Sequence, residues 1–298
     1  MDLLIKKGDV PQRLSELGVI VTDISRGTPS LDIQTQSVAF KNGKKFQNAT
    51  HSEKAITVTG YYYAAGIEAD SGMQDKLNGV FGSLEPYFIA EMIDERQDMY
   101  GYERPGENKN PIMQQLSNDG VQDQMVTYVD YNHSAYKYGF IVLLSDVIDY
   151  EAQGKVGDRI LTKVTLSFVT TGVPYGITEP VDIDLTGQTS IPYAGTTGVS
   201  QFDWPFYFEL TASEAQGYTF DFTVGKQKFT YNAKGKVTIK QGDVFLLNGI
   251  SFKLNQANIN DQTNIQEFEL LPSDTLQVPF QTTFKGDVII KNKVDFYI

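Results

Sequence analysis

From residue 206 to its C-terminus the chain alternates short apolar runs with turn residues, and nothing in that stretch has the period or length of a long helix. The runs fall at 206–210, 218–224, 227–231, 237–240, 244–247, 250–254, 267–270, 277–280 and 288–290, and Asn248-Gly249 marks a tight turn between two of them. Strands this short bury their apolar side only when stacked, sheet on sheet. The pattern therefore predicts a β-sandwich.

The first half is also strand-rich. Residues 19–24 are largely β-branched and end at Gly27-Thr28-Pro29. Residues 37–40 meet a second run at Phe46 across Asn42-Gly43, a pair suited to the two positive-φ positions of a type I′ hairpin. Lys41, Lys44 and Lys45 make that hairpin basic, and 56–63 reads as a long strand. One helix is expected, capped by Asp70 or Ser71, with Met73, Leu77, Val80, Phe81 and Leu84 at helical spacing. Gly79 and Gly82 weaken it, to about three turns.

Strands follow at 87–93, 125–131, 136–144 and 163–169, interrupted at 101–125 by Pro, Gly, Asn and Asp. An excursion that long inside a domain is expected to touch something. After Pro174-Tyr175-Gly176 a Thr/Gly/Ser-rich stretch over 186–200 reads as a linker or another excursion, part of an extension over 177–204. The expected organisation is mainly β with one short helix. A β-rich domain spans 1–176, and a β-sandwich spans 177–298.

Composition narrows the function. A net charge of -12 argues against nucleic acid, whose binding needs a basic face. The absence of cysteine excludes disulfides, thiolate metal sites and a cysteine nucleophile. The N-terminal Leu3, Leu4 and Ile5 precede two lysines, unlike a signal peptide, and no apolar stretch approaches the roughly 20 residues of a span. Synthesis in a cytoplasm, with no membrane partner, is expected.

Catalytic patterns are sparse. The two histidines, His51 and His133, sit in polar surroundings typical of loops or strand ends, and no nucleophile elbow, phosphate loop or zinc motif is present. Glycosidases need only two carboxylates, and Glu91, Asp94, Glu95 and Asp98 form the densest group. Their alternation with Met92 and Ile93 reads as a strand entering a solvated loop. Asp182-Ile183-Asp184 and 258–261 supply oxygen ligands without the glycine or spacing of a calcium loop. Trp204, with Tyr207 close by, suits a seam between sheets, or else a platform for a sugar ring. No enzyme, metal or cofactor is expected.

The order of features resembles the distal tail protein of long-tailed bacteriophages, especially those infecting lactic-acid bacteria. The resemblance rests on 164–168 leading to Pro174-Tyr175-Gly176, on 191–196 before Pro205-Phe206-Tyr207, and on 245–249 through 268–272. It implies a ring-forming first domain with a belt hairpin over about 36–60. Phe40, Lys41, Asn42, Gly43, Lys44, Lys45 and Phe46 would lie at the ring interface. The second domain would be galectin-like or carbohydrate-module-like. By the same resemblance, the protein would be a homohexameric hub at the virion tail tip, made in the host cytoplasm. Its partners would be the major tail or tube protein, the tail-associated hub protein and receptor-binding protein trimers. Two other readings are a carbohydrate-binding module using Trp204 and Tyr207, and a cell-wall hydrolase using Glu91 or Glu95.

Overall fold

The computed structural model describes all residues except 9, 41, 95–132 and 236–237. The expected excursion 101–125, the strand at 125–131, and Lys41, Glu95 and Asp98 lie outside the described residues. Contacts divide the chain into two units, Met1–Gly27 with Ala55–Thr171, and Thr28–Lys54 with Gly172–Ile298.

The first unit is a nine-stranded antiparallel sheet with a helix on one face. Its main path runs Val10–Arg13, Asp2–Lys7, Tyr87–Asp94, Phe140–Leu144, Arg159–Thr170, Ala55–Ala64, Ile20–Arg26. The longest ladder pairs Arg159–Thr170 with Ala55–Ala64, setting Leu166 opposite Val58 and Phe168 opposite Ile56. Alternation does the rest: Ile56, Val58, Tyr62, Val164, Leu166 and Phe168 point inwards and are buried. Gly60 is required where this sheet bends. A Cβ there would lie 2.8 Å from the Ile20 carbonyl oxygen, beside the bulge between Val21 and Asp23.

The helix spans Ile67–Phe81 and buries Leu77 and Phe81 against the sheet, with Phe81 5.7 Å from the Phe168 ring. It begins earlier than expected. Gly66 occupies the N-cap with no side-chain cap, and Asp70 instead accepts hydrogen bonds from Thr162 Oγ1 (2.8 Å) and Gln74 Nε2 (3.0 Å). Asp70 thus ties helix to sheet, a role that helical spacing does not reveal. Leu84, placed on the apolar face by periodicity, lies past the helix end and is 95% exposed.

Beside Asp70 the ring of Tyr62 is buried, and its hydroxyl has no hydrogen-bond partner. Burial first, and Asp70 second, push this phenol up to about 12. Tyr62→Phe is therefore expected to leave the unfolding free energy unchanged or raise it, by up to about 1 kcal/mol, because it removes an unsatisfied polar atom. Chemical denaturation checks the sign, and a clear loss would contradict it.

The second unit stacks two antiparallel sheets. One contains Val181–Asp184, Gly286–Lys293, Tyr207–Ala212, Val244–Leu247, Phe252–Leu254 and Ala257–Asn258. The other contains Ser190–Pro192, Gln277–Thr282, Thr219–Val224 and Gln227–Asn232. Their inner faces meet through phenylalanines: Phe208 lies 4.8 Å from Phe222 and 5.2 Å from Phe268, and Phe220 lies 5.0 Å from Phe245. Tilted and edge-on pairs of this kind add to the area buried. Residues 177–204, read from composition as a linker or extension, instead supply one strand to each sheet.

Thr28–Lys54 forms a separate hairpin, Leu31–Ser37 against Lys44–His51, in a two-stranded sheet of its own. The strands begin five residues before the expected start. The connection is also not a two-residue turn. It runs over 38–43, with positive φ at Phe40 and Gly43, so Asn42-Gly43 closes a wider loop.

Candidate assembly interface

Every residue in the two hairpin strands except His51 is exposed. Register sorts them by face. Leu31 opposes His51, Ile33 opposes Ala49 and Thr35 opposes Phe46, so Leu31, Ile33, Ala49 and Phe46 share one side. Asp32 opposite Thr50, Gln34 opposite Asn48 and Gln36 opposite Lys45 form the other. A bulge at Gln47 keeps Phe46 on the apolar side; without the extra residue its ring would turn to the polar side. Leu31, Ile33 and Phe46 are 58%, 54% and 61% exposed. At the tip Phe40 is fully exposed in a left-handed conformation, flanked by exposed Lys44 and Lys45.

An isolated two-stranded hairpin is marginal in water. One that also carries a bare aliphatic and aromatic stripe has the pattern of a surface awaiting a partner. Sequence reasoning located the tip, including Phe40, Asn42, Gly43, Lys44, Lys45 and Phe46. It missed Leu31 and Ile33, whose alternation with Asp32 and Gln34 was the available signal.

At the hairpin root the strands close on each other through Ser30 N–H to Glu53 O (2.7 Å) and Ser52 N–H to Ser30 O (2.9 Å). His51 turns from the hairpin towards Tyr175, its Nδ1 2.9 Å from the phenol oxygen and the two rings edge-on at 5.7 Å.

The remaining candidates are scattered. Glu91 is ion-paired with Arg26 at 2.9 Å, and the guanidinium lies over Tyr136 at 5.3 Å and Tyr138 at 5.7 Å. Such a carboxylate braces the sheet. His133 opens the short strand His133–Ala135. Trp204 is half-buried and donates its indole N–H to Asn292 O at 2.9 Å, while Tyr207 sits on the six-stranded sheet opposite Lys291. Lys291 pairs with Asp182, whose carboxyl is held below its usual range by the Asn292 backbone N–H and by that lysine. The oxygen ligands proposed around Asp182 are thus engaged in ordinary pairs.

Near Trp204 a carboxylate group carries a pH effect. Glu269 is pushed above the usual carboxylate range, by burial first and then by the charges of Asp203 and Glu267, and Glu267 Oε2 is buried without a partner. A raised folded-state value means the fold favours protonated Glu269, so this contribution is full at low pH and is lost as pH rises through that value. Glu269→Gln is therefore expected to stabilise the protein at pH 7, by less than about 1 kcal/mol given partial exposure, with the gain vanishing below the carboxylate range. Paired melting curves across pH 3–8, as an approximate range around the free carboxylate value, test this.

No family model matches the chain, and no curated protein matches it. Solved structures do. The SPP1 Dit (gp 19.1) protein, described as a paradigm of the hub adsorption apparatus in phages infecting Gram-positive hosts, aligns with a TM-score of 0.60 over 100% of this chain and 99% of that one, at 11% identity. The phage P2 baseplate in its activated conformation aligns over 99% of this chain with TM-scores of 0.34, for both its Ca and Sr forms, too low to carry an argument. The chain therefore has the fold of a phage tail hub protein. The particular likeness is to SPP1 Dit, along the full length of both chains.

Proposed function

We propose that this protein is a structural, non-catalytic hub of a long-tailed phage baseplate, a distal tail protein placed in the virion at the tail tip. The observation that carries the reading is the bare apolar stripe Leu31, Ile33, Ala49 and Phe46 on a hairpin that no described residue covers. The full-length fold match to SPP1 Dit supports it. A second copy of the chain is the occupant of that stripe. A hairpin that leaves one copy to dock on the next makes a heterologous contact, and such contacts close into a ring when the rotation allows. On this reading six copies close the ring. Lys44 and Lys45 then meet an acidic neighbour, since the chain carries a net charge of -12, and set register more than affinity.

The ring joins the tail tube on one side and the tail-associated hub protein on the other, with the sandwich units directed outwards to hold receptor-binding protein trimers. Light scattering of the purified protein, alone and with the neighbouring tail proteins, tests this. A species of six 33.3 kDa chains is expected. A monomer under both conditions overturns the reading.

A further inference from the structure

The root of the hairpin holds a contact that its assembly role leaves unexplained. His51 is the one half-buried residue in the two hairpin strands, and its ring meets Tyr175, 124 positions away in sequence. Neutral imidazole has one donor and one acceptor nitrogen. Nδ1 and the phenol oxygen, 2.9 Å apart, share one hydrogen bond, which either tautomer of the imidazole can form. Tyr175 in turn lies 5.5 Å from the ring of Phe296, which is fully buried. Its neighbour Gly176 pairs with Tyr297, in the short ladder Gly176–Ile177 against Phe296–Tyr297. A side-chain chain therefore runs from hairpin root to sandwich core: His51, Tyr175, Phe296.

We infer that His51 and Tyr175 form a latch that fixes the direction of the hairpin relative to residues 172–298 of the second unit. The backbone bonds at the root, with Gly27 N–H to Ala55 O at 3.1 Å before them, join the two strands to each other and hold the hairpin closed; these bonds do not reach residues 172–298, which the His51 ring does. Aim matters because of length. Seven strand residues reach about 23 Å at ~3.3 Å per residue, so a tilt of about 10° at the root carries the tip about 4 Å, enough to miss a docking site. A latched arm has already given up that freedom before it binds, which lowers the ordering cost of association. His51 and Tyr175 act here as positioning residues. The functional consequence rests on the reading of the hairpin as an assembly arm; the latch itself does not.

The chain contains no cysteine, so Asn42→Cys at the tip and Asp274→Cys on the sandwich accept two spin labels and no others. Labelled protein diluted into unlabelled protein reports the intramolecular distance. The expected result is one narrow distribution, broadened about twofold by Tyr175→Phe, which keeps the ring and removes the hydroxyl, with the melting midpoint unchanged and assembly weakened about tenfold. His51→Ala, at a half-exposed position, serves as the second variant and should broaden it similarly. A distribution that stays narrow in both variants, or is already broad in the parent, overturns the latch. A narrow parent and broad variants in a protein that never assembles leave the latch standing and overturn the assembly reading instead.

Discussion

Replacing Ile33 and Phe46 together by aspartate is expected to give a protein that melts at the parent midpoint and no longer assembles. Both side chains are more than half exposed in the chain, so folding gains little from them. Buried against a second copy, large apolar side chains contribute about 1.5–3 kcal/mol each. The stripe as a whole therefore supplies on the order of 5 kcal/mol per contact, comparable to the low end of the ~4–15 kcal/mol lost in association. One such contact does not hold two copies together. A closed ring does better, because six copies make six contacts for five losses of freedom, and the copy that closes the ring makes two at once. Assembly should accordingly pass from monomer to ring with few intermediates, and charges on the stripe should abolish it outright. Analytical ultracentrifugation reads the outcome; a ring that survives both aspartates removes the stripe from the interface. Deletion of 36–50 should give the same folded monomer.

Asp295→Ala should produce the largest loss of stability, about 3–5 kcal/mol. Its carboxylate pairs with Lys293 Nζ at 2.5 Å, and the two side chains are only 13% and 6% exposed. The ammonium also lies 5.5 Å over the ring of Tyr193, whose hydroxyl bonds the Thr197 carbonyl and accepts the Phe296 N–H. Removing the carboxylate leaves a lysine charge buried with one aromatic face for company. Adding Lys293→Met should restore most of the loss, because the cost comes from the stranded charge rather than from the missing pair. A double-mutant cycle by urea denaturation measures this coupling. If Asp295→Ala and the double variant unfold alike, the pair is not what holds the C-terminal strand.

Much of this architecture was legible in the residues. Short apolar runs alternating with turns after residue 206, among them 206–210 and 218–224, marked sandwich strands, because strands that short bury their apolar side only when stacked. Other features misled for physical reasons. The helix starts at Ile67, before the expected cap, and Asp70 inside it bonds Thr162 on a distant strand, a partner that helical spacing does not encode. Asn42-Gly43 pointed to a two-residue turn, while the structure closes a wider loop with Phe40 also at positive φ. Trp204 read as a seam residue or else a sugar platform, and its indole N–H bond to the Asn292 carbonyl, a contact 88 positions away, had no local signal. Composition made 177–204 look loose, though it completes both sheets.

The residues alone determined a β-rich chain with one helix and a C-terminal sandwich, because local periodicity and turn chemistry carry that information. Tertiary structure alone decided that the hairpin over Thr28–Lys54 groups with the second unit and keeps its apolar stripe bare. Both outcomes depend on which groups come within reach across long stretches of chain, such as Tyr175 for His51, and no local pattern encodes that distance.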